Sequence, residues 1–173
     1  MVKIKDRKGN VEEAIPLLLK EEFAHQIVAG KKTIEFREPN PVNVKKFLMP
    51  AAAAAVFGQR DDLKKYAEKG NIILKNIHYL HFYNYSKTFF LDVGIEAIDC
   101  MALLPENREY FHERGCHDYD DVIDEAEKLG LTPDDERTVW FFCMPIKVVI
   151  NTDLKDEIKI PIKNFDDAKP IKC

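Results

Sequence analysis

Four residues near the start of the 173-residue chain have the types and spacing of a recognition site: Gly30, Lys32, Glu35 and Arg37. Glu35 supplies acceptors for an amine, Arg37 supplies a planar donor fork suited to a phosphate or a base edge, and Lys32 adds a cation. Lys31 stands beside them as a second cation. On a strand, residues 35 and 37 project from the same face about 7 Å apart. The same spacing also fits a plain solvated surface. Lysines at a helix C-terminus complement its dipole, and an exposed Glu/Arg pair is worth about 0–1 kcal/mol. From spacing alone both readings stand.

A second group of candidates lies at a turn. Tyr83, Asn84, Tyr85 and Lys87 sit in a connector of hairpin length, with Tyr79 and Phe82 nearby. Exposed aromatic faces stack nucleobases for about 1–3 kcal/mol each, and side chains near a turn stay accessible. Other patterns carry less. His112, Cys116 and His117 are possible zinc ligands by type, but Gly115 breaks their helix and no fourth ligand has a clear partner, so no metal is expected. The acidic cluster at 118–124 lacks the glycine and terminal glutamate of a calcium loop. Trp140, Phe141 and Phe142 read as core anchors. With no nucleophile elbow, phosphate-binding loop or dinucleotide fingerprint, no cofactor is expected.

The stretch from Phe23 to Arg37 is an apolar helix pattern running into Gly-x-Lys-x-x-Glu-x-Arg. It resembles the hallmark of the ASCH domain family, part of the PUA-like β-barrel superfamily. The likeness is strongest over residues 15–37, weaker over 72–99 and absent from about 103–137. It implies an α+β fold: a PUA-like β-barrel with flanking helices, closed or nearly so, and a cleft beside the helix-to-strand turn. For function it implies a binding module whose cleft recognises RNA or a modified nucleotide through Lys32, Glu35 and Arg37. Some small relatives of this type are amidohydrolases acting on acetylcytidine, in which the motif lysine works with a threonine three residues later. Here that position is Glu35, so the expected nucleophile is missing and catalysis stays open. A third reading, a protein-interaction module using its acidic insertion on a basic partner, also follows from the family.

The elements that must position these residues are readable in outline. Residues 15–19 form a short apolar run of strand length. Residues 21–29 put Phe23, Ala24, Ile27 and Val28 on one helical face, with Glu21 and Glu22 in the first turn and Gly30 past the end. Residues 33–37 then alternate as a strand, Ile34 and Phe36 on one side, Thr33, Glu35 and Arg37 on the other. Pro39, Pro41 and Pro50 break up the next stretch, and helix is expected at 51–55 and 61–69. Strands are expected at 72–83 and 88–98 around the 84–87 connector, and at 139–150, with Pro145 a bend, and 158–162. Between them lies an acidic helical insertion at about 103–137, with helices at 106–114 and 119–129. No internal repeat or linker divides the chain, so residues 1–173 read as one domain.

Composition narrows the rest. Net charge is −4, which gives no global reason for nonspecific binding to a polyanion. The charge is uneven: residues 1–93 carry 16 basic against 11 acidic side chains, and residues 94–139 carry 4 against 14. The four cysteines lack paired spacing and read as thiols. The charged start and the lack of any apolar run of about 20 residues point to a cytoplasmic protein without membrane contact.

Overall fold

A computed structural model describes residues 1–50, 52–53, 74–102, 109–116 and 140–154 of the chain. It opens on a hairpin, β1 (Val2–Lys5) against β2 (Val11–Leu18), antiparallel in the register Val2↔Ala14. The turn between them is built by Asp6, whose Oδ1 accepts from Lys8 N and Asn10 N, and by Gly9 at φ 85°. β1 was not expected. Only Ile4 of its four residues is buried, so its pattern is too short to announce a strand.

Four further strands complete most of a mixed sheet. β3 (Ile34–Arg37), β4 (Tyr79–Tyr83), β5 (Phe90–Ile95) and β6 (Asp99–Ala102) are joined through a long final strand, β7 (Trp140–Thr152). The order is β1-β2-β4-β5-β7-β3, with β6 on the other side of β7. Among the described strands, only β2 and β4 pair in parallel. β7 changes partners along its length: residues 140–145 run between β6 and β3, and residues 146–152 pair with β5. Pro145 stands at the switch. It does not end the strand, because its carbonyl still accepts from Glu96 N at 2.9 Å.

Among the described residues, two α-helices pack on the sheet. α1 (Glu21–Val28) buries Ala24, Ile27 and Val28, and α2 (Pro41–Phe47) buries Asn43, Val44 and Phe47. These apolar residues pack on Ile15, Leu17, Leu80, Phe82, Leu91 and Phe142 in one core. α2 replaces the expected proline-broken stretch. Asn40 caps it by accepting from Asn43 N, and Pro41 occupies the first turn, where a missing N–H costs nothing.

The architecture is α+β, but the expected barrel closure is absent: the path of described strands ends on β1 and β3, which do not pair, and across the opening Arg37 of β3 reaches Leu18 O of β2. Expected strand 72–83 shortens to β4, preceded by a single bridge from Leu74 to Leu48. Expected strand 88–98 narrows to β5, and β6 is additional. In the acidic insertion the described part is a π-helical turn, Tyr110–Arg114. Of the alanine run only Ala52 and Ala53 are described, both helical. The expected helices at 61–69 and 119–129, the strand at 158–162, the 118–124 cluster and His117 lie outside the described residues. Cys116 is a free thiol. No helix among the described residues is long and apolar enough to cross a membrane.

Candidate functional site

The motif begins at the end of α1. Gly30, at φ 75°, turns the chain so that Lys31 N donates to Gln26 O at 2.9 Å and Gly30 N to Ile27 O at 3.0 Å. These are the two bonds of a Schellman ending, and the left-handed residue they need is a glycine. The turn delivers Lys32 beneath the π-helical turn and starts β3 two residues later.

β3 then presents its faces in an unexpected sense. Glu35 is paired with Met144 and Arg37 with Phe142, so these charged side chains share the face of two core residues. Ile34 and Phe36 take the opposite face, where Phe36 packs against Phe111 with ring centroids 4.5 Å apart. The polar side of the strand is turned inward, and the π-helical turn covers the apolar side.

Lys32 is completely buried, and Glu35 is 2% exposed. Lys32 Nζ donates to Gly115 O at 2.5 Å and lies 3.3 Å from Glu35 Oε2. Its ammonium also stands 5.4 Å from the centre of the Phe23 ring. Burial pushes the Lys32 ammonium below its ordinary pKa, and Glu35 pulls in the opposite direction. On the other side of Glu35, Oε1 accepts from Arg37 Nη2 at 2.7 Å, and the same Nη2 reaches Leu18 O at 2.6 Å. Neither contact uses Nη1, and Nε has no hydrogen-bond partner among the described residues. Thus Glu35 is bridged between two cations, one sealed in and one at a surface.

That surface is a cavity of about 440 Å³. It occupies the open seam between β2 and β3, walled by Leu17, Leu18 and Leu19 on one side and Glu35, Phe36 and Arg37 on the other. Phe23 of α1, Phe111 of the π-helical turn and Phe141 of β7 add aromatic walls. α2 and its cap contribute Asn40, Asn43 and Lys46. Lys46 Nζ donates to Pro16 O at 2.8 Å. The volume is within the range of small-ligand sites, and the mix of rings with a few polar groups is typical of them.

Of the residues expected from sequence, Lys32, Glu35 and Arg37 form one cluster, and the last two line the cavity. Lys32 does not line it. Lys31 is exposed. Tyr83, Asn84, Tyr85 and Lys87 lie at the end of the β4–β5 hairpin, and none lines the cavity. Tyr85 is 89% exposed, Lys87 has φ 53°, and Asn84 holds the turn through Thr88 N at 2.9 Å. His112 is exposed and Cys116 partly buried, with burial raising the Cys116 thiol pKa against the opposing pull of Lys32. The residues missed from sequence are Asn40, Asn43, Lys46, Phe111 and Phe141. The Asn40-Pro41 pair was a legible helix start that would have brought the first three into view; Phe111 has no such signal. In comparisons with protein-family models, curated proteins and solved structures, the chain matches none.

Proposed function

We propose that the seam between β2 and β3 is a recognition site for RNA or a modified nucleotide, in a domain of the ASCH type within the PUA-like superfamily. The supporting observation is the convergence of Glu35 and Arg37, half of the Gly-x-Lys-x-x-Glu-x-Arg pattern, on one cavity walled by phenylalanine rings. On this reading a base enters between the rings, and Glu35 reads an amine while Arg37 holds an oxygen. Gly30 and Lys32 act from beneath: one sets the turn, the other fixes Glu35. The curved sheet is then a PUA-like barrel left open at the seam that receives the ligand. The amidohydrolase alternative is weaker, because Lys32 Nζ is engaged by Gly115 O and no hydroxyl stands at position 35.

The test is a titration of short single-stranded RNAs, with and without acetylcytidine, at two salt concentrations. Arg37→Gln should weaken binding at least tenfold and reduce its salt dependence, compared at a temperature where thermal unfolding shows both proteins folded, because removing the partner of buried Glu35 also lowers stability. Wild-type affinity in that variant, or efficient deacetylation by the unmodified protein, would place the function elsewhere.

A further inference from the structure

Beyond residue 14, the edge of β2 that faces away from β4 has no strand partner among the described residues. Leu19 N–H points toward β4, donating to Tyr83 O at 2.9 Å. In a trans peptide the preceding carbonyl points the opposite way, so Leu18 O faces the open edge, and Pro16 O, two residues earlier, does the same. Each carbonyl is met by a cation instead of a strand: Arg37 Nη2 at 2.6 Å and Lys46 Nζ at 2.8 Å. Carbonyls two residues apart on a strand are separated by about 7 Å. The guanidinium and the ammonium therefore stand side by side in the cavity wall.

Their counter-charges are unequal. Glu35 serves Arg37 and Lys32, and Glu38 accepts from Asn40 Nδ2 at 2.5 Å. Lys46 meets no carboxylate among the described residues, and one carbonyl uses only one of its three donors. Burial, and then the neighbouring Arg37, lower the Lys46 pKa, the signature of a cation that lacks an anion.

We propose that Arg37 and Lys46 form a phosphate seat at the β2 edge of the cavity, so that its ligand is a phosphorylated nucleotide or an RNA residue rather than a free nucleoside. This rests on the nucleotide reading above. With charge-assisted bonds of about 2.8 Å on either side, one phosphate spans the two cations, while its base lies among the rings.

The experiment compares the four ribonucleosides, their 5′-monophosphates and inorganic phosphate as NMR titrants of the full chain. The proteins are wild type, Lys46→Gln and, as a control on the same helix outside the cavity, Lys45→Gln. For wild type and Lys45→Gln, at least one monophosphate should bind about tenfold more tightly than its nucleoside. Lys46→Gln should lose that gain, with its amide spectrum otherwise intact. Equal affinity for nucleoside and monophosphate would overturn the phosphate seat and leave the base-binding reading standing. Binding of inorganic phosphate that depends on Lys46, without any nucleoside binding, would keep the seat and remove the nucleotide reading. No binding by any titrant would remove both.

Discussion

Lys32 reaches Glu35 and Gly115 O only because Gly30 turns the chain left-handed at the end of α1. Once there, its ammonium is out of reach of bulk solvent and faces those two oxygens and the Phe23 ring. A buried ion pair gains little over an apolar pair, yet losing one partner is severe because the other charge stays behind. Lys32→Met keeps the apolar stem out to Cε but removes the ammonium, and should cost about 3–5 kcal/mol in denaturant unfolding. Combining it with Glu35→Gln should cost less than the two single changes added, since they share one interaction. Additive losses would show that Lys32 is held by packing alone. Lys32, expected to meet the ligand, is sealed beneath the cavity and does not line it. Its identity and spacing were legible in the sequence. Its burial was not, because the residues that cover it lie 83 positions away along the chain.

At the scale of elements, β3 was legible as a strand and its alternation was read correctly, but alternation does not say which face is inside. The answer depends on the π-helical turn, which brings Phe111 over Phe36 and lets the charged face of β3 turn toward the core. Gly115 is the hinge of that cover. Its backbone is ordinary, at φ −89°, but a Cβ there would stand 2.5 Å from Phe36 Cε2 and 2.8 Å from Phe111 O. Space, not conformation, requires the glycine. Gly115→Ala should therefore destabilise by about 1–3 kcal/mol through overpacking. It should also shift the carbonyl that holds Lys32, so that amine-reactive labelling read by mass spectrometry finds Lys32 protected in wild type and more reactive in the variant. Unchanged protection would mean that the π-helical turn is not what seals the lysine. α2 gives the converse lesson. Its Asn-Pro start was visible, but three prolines in 39–50 outweighed it as breakers, although proline in the first turn of a helix is favourable.

Across the whole molecule, the cavity at the open seam between β2 and β3 lies at one side of the sheet, while a second polar pair, Asp92 with His81, ties its centre. Asp92 of β5 is 4% exposed, and its Oδ1 lies 2.6 Å from His81 Nδ1 on β4. Burial raises the Asp92 pKa above 3.8, and the contact with His81 offsets this only in part. The sign of the consequence follows from linkage. A carboxyl with a raised pKa binds its proton more tightly in the folded state. Its stabilising effect is complete below the unfolded value and is lost as pH rises through the folded one. Near neutrality the ionised Asp92 thus carries a burial cost that an amide of the same shape does not. Asp92→Asn has no such titration. Measured by urea midpoints from about pH 3.5 upward, wild type should lose ground to Asp92→Asn as pH rises through the carboxylate range. If the attraction between His81 and Asp92 governed instead, the ordering would reverse and wild type would gain on the variant over the same interval. The direction of that slope decides whether the pair at the centre of the sheet is held by its charges or tolerated in spite of them.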